Sequence, residues 1–285
     1  MTCEIPTALQ PLIAAYTCQL NNASFRDALH GIYLYGSIAL GAFDEQRSDI
    51  DFLTVLRRDL TEAERGELEL LHIRLQNDHP LAFLMDGMYI HRQHLGRLNP
   101  EIPPYSFTHE GEFHRAGHWD VNHVTWWLLQ HRAVTVFGPE SSTLLLHVTT
   151  EDLRATMAYN LHSYWSHRLQ ALEGMSFDTL PETELQADTA DAVLTLCRIA
   201  YTLEHGDILS KTAALQYAIQ SSDAKWQPLF RETLRIRENT EASNACKSQS
   251  LDFPSVIAFA CVACDFIRTV IDTHPQKSIE GGTSA

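Results

Sequence analysis

Leu34-Tyr35-Gly36-Ser37-Ile38-Ala39-Leu40-Gly41, followed after a short gap by Ser48-Asp49-Ile50-Asp51-Phe52-Leu53, decides how this chain is read. Residues 31–35 form a β-branched and aromatic run, the pattern of a buried strand. That strand ends in Gly-Ser, a helical turn and loop follow, and a second strand is read over 51–56, with carboxylates at i and i+2 (Asp49 and Asp51) at its opening. A spacing of two puts both on one face of a strand. Like charges this close are costly unless a divalent cation neutralises them, and Mg²⁺ prefers one or two carboxylates plus phosphate oxygens. Gly36-Ser37 at a helix start suits a phosphate, through backbone N–H groups and the hydroxyl. Together these elements predict a site for a nucleoside triphosphate with Mg²⁺. A third carboxylate, Asp86, stands alone in the apolar run Phe83-Leu84-Met85-Asp86-Gly87-Met88-Tyr89, where burial is costly without a partner or a purpose. Beside the metal pair it either completes a second cation's shell or accepts a hydroxyl proton as general base.

Working outward, a helix is expected over residues 8–30. Thr61 with Glu64 is a capping box opening a second helix to residue 77. Residues 81–90 read as the third strand, 121–132 as a helix and 134–137 as a short strand that stops at Gly138-Pro139. Strand patterns then vanish. Helices follow from a Thr149 or Thr150 cap to Gly174, over 187–205 with a stop at Gly206, from a Ser210 cap, over 226–238 and over 255–273. Residues 239–250 read as a polar loop and 275–285 as a frayed tail. The expected fold class is therefore α+β. An N-terminal α/β domain with a mixed sheet (1–148) precedes an all-α helical bundle (149–274), with residues 275–285 as a flexible tail.

A chain of 285 residues should bury about three-quarters of its unfolded surface, so it needs no disulfide or metal to fold. Its 21 Lys and Arg against 36 Asp and Glu leave a net charge of −15. That argues against a nucleic-acid-binding protein, which needs clustered cations, and is compatible with a cationic small-molecule partner. The start of the chain lacks a basic segment followed by an apolar run, and residues 256–264, the longest apolar stretch, are too short to span a bilayer. A cytoplasmic protein without membrane contact is expected, with its scattered cysteines acting mostly as small buried hydrophobes. Cys261 and Cys264 read as core packing rather than a redox or zinc pair. Trp126-Trp127 reads as core between the domains. His109, His114, His118 and His123 show no regular metal spacing, although a substrate-contact role for their loop stays open.

Gly-Ser, a gap, Asp-x-Asp and a later acid on a strand resemble the nucleotidyltransferase superfamily of the DNA polymerase β-like fold. The second half sharpens this. Leu194-Thr195-Leu196-Cys197-Arg198-Ile199-Ala200-Tyr201, then His205-Gly206-Asp207-Ile208-Leu209-Ser210-Lys211, is similar to the helical domain of the streptomycin/spectinomycin adenylyltransferases and of their relatives with an uncharacterised C-terminal domain. The resemblance covers most of residues 30–238. It implies that Gly36 and Ser37 hold a terminal phosphate, that Asp49 and Asp51 bind Mg²⁺, and that Arg198 and Lys211 reach the triphosphate of ATP. Asp86 falls at the position of the family's base and is also a candidate metal ligand. Asp188, ten residues before Arg198, matches an acidic position that contacts the cationic drug. The chain departs from the family in carrying Asp86 where Glu is usual, and in a longer segment over 175–186. The implied activity is transfer of AMP from ATP to a hydroxyl of a small cationic acceptor, an aminoglycoside or spectinomycin, by a monomer. Transfer to a protein or metabolite acceptor, or nucleotide binding without turnover, are the alternatives.

Overall fold

The computed structural model describes residues 4–119, 121–239 and 253–275. These fall into two compact units that divide between Asp152 and Leu153. The first contains a six-stranded sheet. Its elements in chain order are α1 (Gln10–Asn22), β1 (Leu29–Leu34), α2 (Gly36–Ala39), β2 (Ile50–Leu56), α3 (Glu62–Asp78), β3 (Met85–His91), β4 (Tyr105–His109), β5 (Glu112–Gly117), α4 (His123–His131) and β6 (Val134–Phe137). The strand order is β5-β4-β3-β2-β1-β6, with β2 and β3 parallel and every other neighbouring pair antiparallel. The sheet is thus mixed, with α3 as the crossover that a parallel pair requires.

Alternation along the central strands separates the two faces. Ile32 and Leu34 of β1, Phe52 of β2 and Tyr89 of β3 bury one face in a core with Leu12, Tyr16 and Leu20 of α1 and Leu68, Leu71 and Leu75 of α3. This core encloses a polar chain. Tyr16 Oη bonds Thr54 Oγ1 at 2.7 Å and Tyr89 Oη at 2.8 Å, and His72 Nε2 meets Tyr89 Oη at 2.6 Å. His72 lies between the rings of Phe52 and Phe113, and burial lowers its pKa to about 3. Asp51 and Asp86 belong to the opposite face.

The capping box at Thr61 forms as expected: Thr61 Oγ1 accepts from Glu64 N–H at 3.3 Å, while the Glu64 carboxylate accepts from Thr61 N–H at 2.8 Å. Several expectations need correction. The helix expected to run to residue 30 ends at Asn22, because Phe25 turns inward and a short 3₁₀ turn (Arg26–Ala28) leads into β1. The third strand starts at Met85 rather than residue 81, since Pro80 opens a 3₁₀ turn through Leu84. The hairpin β4–β5 was not foreseen. Its two-residue turn, Glu110-Gly111, has φ of +50° and +78°, the left-handed pair of a type I′ connection that matches the strand twist.

The second unit is helical. The division falls within α5 (Thr150–Asn160), which Thr149 caps, accepting at Oγ1 from Asp152 N–H at 3.1 Å. A π-helical segment (Leu161–Trp165) and α6 (Ser166–Glu173) continue it. There follow α7 (Glu182–His205), α8 (Lys211–Ser221), α9 (Gln227–Asn239) and α10 (Val256–Thr273). The long α7 is central and packs on α8, α9 and α10. It begins five residues before the expected start, so the end of the 175–186 segment is helix. Gly206 closes it in the left-handed conformation, with φ +66°. Of the cysteines, Cys197 is buried, but Cys18 and Cys261 are exposed and Cys264 is partly so, correcting the expectation of core packing. Trp126 and Trp127 are buried within the first unit, where Trp126 Nε1 donates to Arg97 O at 2.8 Å. The loop read over 239–250 and the tail over 275–285 lie almost wholly outside the described residues. Among the described residues, no helix is long and apolar enough to cross a membrane.

Candidate active site

The junction of β1 and β2 builds the first part of the site. Tyr35 N–H donates to Asp51 O at 3.0 Å, extending the strand pairing beyond Leu34 and laying Gly36 against Asp51. Gly36 has φ +57°, and a Cβ there would lie 1.8 Å from Asp51 Oδ2 and 2.5 Å from its Cγ. Glycine is therefore required both by the backbone and by the carboxylate beside it. Ser37 follows, and its Oγ is buried with no hydrogen-bond partner. An orphaned buried hydroxyl is costly, and such atoms mark places where a ligand completes the bonding. Downstream, Asp44 N–H donates to Ser48 Oγ at 3.1 Å and Ser48 N–H to Asp44 O at 2.9 Å, closing the loop that delivers Asp49. Asp49 is exposed just ahead of β2 and Asp51 is half-buried, with buried Ile50 between them, as strand alternation demands.

Asp86 is the register partner of Asp51 on the adjacent parallel strand, so the two stand side by side, about 4.8 Å apart in the pairing direction. At 9% exposure Asp86 is nearly buried, and the β4–β5 turn satisfies it. His109 Nδ1 donates to Asp86 Oδ2 at 2.9 Å, and Glu110 N–H donates to Oδ1 at 3.0 Å. The His109 ring stacks on Trp119, with centroids 3.7 Å apart and planes 27° from parallel. Sequence reasoning named His109 but not this partnership. The signal was present in Glu110-Gly111 between two stretches of strand pattern, but a Glu-Gly turn is weaker than Asn-Gly or Asp-Gly.

The remaining candidates belong to the second unit. Asp188, Asp191, Thr195 and Arg198 follow i, i+3, i+7, i+10 spacing along one face of α7. Lys211, the first residue of α8, donates from Nζ to Asp191 Oδ1 at 2.6 Å. A cation in a first helical turn opposes the helix dipole, and Asp191 supplies the compensating charge. Asp191 escaped the sequence reading, although its place three residues after Asp188 was visible. Asp188 lies 3.9 Å from Arg168, and both line a cavity of about 240 Å³ with Asp191, Tyr164 and Trp165. Arg198 sits half-buried further along that face.

Among the described residues, no three His, Cys, Asp or Glu side chains converge as a ready-made metal cage. Asp49 and Asp51 nonetheless have the donor chemistry of a Mg²⁺ site that phosphate oxygens complete. The Gly36 cradle and the orphaned Ser37 hydroxyl beside them fit such a phosphate. Asp86, with both oxygens engaged by the hairpin, is held as a positioned carboxylate.

Comparison with known proteins follows the same division. Residues 19–83 match the nucleotidyltransferase domain family, and residues 175–261 match the aminoglycoside adenylyltransferase C-terminal domain family. Spectinomycin 9-adenylyltransferases of Staphylococcus aureus strains Mu50 and N315 are each 26% identical over 225 residues, covering 73% of this chain and 78% of theirs. A crystal structure of spectinomycin adenyltransferase from Enterococcus faecialis, solved with ATP and spectinomycin, shares the fold with a TM-score of 0.57 at 15% identity, covering 90% of this chain and 98% of that one. The α+β architecture, the Gly-Ser and Asp-x-Asp elements and both family matches thus support an enzyme of nucleotidyltransferase type that resembles the aminoglycoside adenylyltransferases.

Proposed function

We propose that the chain transfers AMP from ATP to a hydroxyl of a small cationic acceptor, an aminoglycoside or spectinomycin, with pyrophosphate leaving. The observation that carries this reading is the Gly36 cradle against Asp51 with the partnerless buried Ser37 hydroxyl beside it. Ser37 would donate to a phosphate oxygen, and Gly36 would let the backbone approach it. Asp49 and Asp51 would hold Mg²⁺, which when bound neutralises phosphate charge and polarises the centre under attack. Asp86, beside Asp51 and gripped by the β4–β5 turn, would accept the acceptor's hydroxyl proton as general base. Arg198 and Lys211 would offset charge on the departing pyrophosphate, with Lys211 exchanging Asp191 for phosphate. Asp188 and Asp191 at the rim of an aromatic-lined cavity suit the amines of the acceptor. The names of the relatives support this acceptor class.

The test is pyrophosphate release from Mg-ATP with a panel of aminoglycosides and spectinomycin, beside an Asp49→Ala/Asp51→Ala control. Drug-dependent release that the control abolishes supports the proposal and names the acceptor. ATP binding without release for any drug would refute the drug acceptor, and no ATP binding would refute the site.

A further inference from the structure

Asp86 reaches the site from β3 on a single rotatable Cα–Cβ bond and a carboxylate that is free to spin unless something holds it. Two donors hold it, and both come from the β4–β5 turn. Glu110 N–H binds Oδ1 at 3.0 Å and His109 Nδ1 binds Oδ2 at 2.9 Å. A carboxylate has about four lone-pair sites, so this grip leaves an acceptor site on each oxygen. His109 is itself braced. Its ring lies against Trp119, the Trp119 N–H donates to Tyr105 Oη at 2.6 Å, and Tyr105 Oη donates to Asn99 Oδ1 at 2.9 Å. Trp119 also meets Phe107, with ring centroids 6.2 Å apart, and Phe107 stacks on His114 at 4.4 Å. Of these rings it is His109 that bonds Asp86, while its Nε2 lies 3.8 Å from Glu110 Oε1.

We propose that His109 is the positioning residue for Asp86: braced by Trp119, it fixes the orientation in which the Asp86 carboxylate meets the acceptor hydroxyl. The inference rests on reading Asp86 as the base and deepens it. Two functions of the imidazole can be separated by substitution. His109→Phe keeps a ring for Trp119 and deletes the Nδ1 donor. His109→Asn gives up the stack and keeps an N–H donor near the place of Nδ1. Misplacing a reacting group by about 1 Å costs about a hundredfold in rate, and a general base is worth about 10²–10⁴-fold.

The experiment uses the full chain, with Mg-ATP and spectinomycin as substrates and pyrophosphate release as the readout. Four variants are compared: His109→Phe, His109→Asn, Asp86→Asn and the double variant Asp86→Asn/His109→Phe. A crystal structure of His109→Phe accompanies them. The expected result is a fall in kcat of about 30- to 100-fold for His109→Phe, with KM for both substrates within about threefold. His109→Asn should recover to within about fivefold of the parent. In the Asp86→Asn background the Phe substitution should cost nothing further, because both changes remove one function. The structure should show the Asp86 carboxylate rotated with the three strands unmoved. A His109→Phe enzyme within threefold of the parent kcat, multiplicative losses in the double variant, or an unmoved Asp86 in the structure would each overturn the inference. Parent-like turnover by Asp86→Asn would remove the base reading and this inference with it, a result independent of any His109 variant. If spectinomycin supports no release even in the parent, the acceptor reading fails, and the Asp86 orientation in the His109→Phe structure decides the inference alone.

Discussion

Gly36→Ala isolates the geometry on which the nucleotide site rests. The added Cβ would stand 1.8 Å from Asp51 Oδ2 and 2.5 Å from Asp51 Cγ, whereas Cβ atoms essentially never make non-bonded contacts under 3.0 Å. Asp51 must therefore swing its carboxylate outward by more than 1 Å, from 1.8 Å to beyond 3.0 Å. Displacement of that size at a group that holds reactants is worth about a hundredfold in rate. The backbone term is smaller: φ +57° asks alanine for the left-handed region, about 1 kcal/mol or slightly more. Gly96→Ala supplies the control, because Gly96 has φ +80° in the same unit and its nearest atom to a new Cβ, in Leu146, is 3.8 Å away. Both variants should lose roughly 1–2 kcal/mol of stability in thermal melts, about 3–6 °C for a unit of this size. Only Gly36→Ala should lose turnover, by about a hundredfold in pyrophosphate release from Mg-ATP. Equal activity in the two variants, or a Gly36→Ala loss matched by Gly96→Ala, would refute the claim that the Gly36–Asp51 contact is functional.

Two further outcomes are expected. His72, fully buried, has its pKa lowered from 6.5 to about 3 by burial, so the unfolded chain binds a proton below pH 6.5 that the folded chain refuses. Stability is therefore full above pH 6.5 and falls as pH drops below it, by roughly 2 kcal/mol at pH 5. His30, His94 and His274, also lowered by burial, act in the same direction. Urea unfolding from pH 8 to pH 5 should show that decline, and His72→Phe should flatten it; an unchanged slope in the variant would assign the pH dependence elsewhere. For Lys211, substitution by Gln breaks an ion pair with Asp191 whose side chains are 32% and 58% exposed, a contact worth no more than about 1 kcal/mol. Its melting temperature should therefore move by no more than a few degrees while KM for Mg-ATP rises more than tenfold, and an unchanged KM would place Lys211 outside the nucleotide site.

Much of the fold was readable because local chemistry and tertiary demand agree there. The Thr61/Glu64 capping box, the left-handed Gly206 and the caps at Ser210 and Ser255 act within one helical turn, so the residues that make them are neighbours in sequence. The same holds for Gly36-Ser37 and Asp49-x-Asp51, whose spacing declares the strand ends that carry them. Phe25 misled the helix assignment because its burial in the core, rather than its local pattern, ends α1. Cys261 and Cys264 misled because composition cannot say which side of an amphipathic helix meets a neighbour.

By itself, then, the sequence determined the order of elements, the change from sheet to helices near residue 150 and the identities of the carboxylates, since each depends on periodicity and capping over a few residues. Tertiary structure alone decided which groups meet. Asp86 finds His109 across 23 positions, Lys211 finds Asp191 across 20, and Gly36 lies against Asp51 because β1 and β2 pair in one register and no other. Such contacts are set by strand register and helix packing, whose energies are spread over the whole core, so no local stretch of residues encodes them.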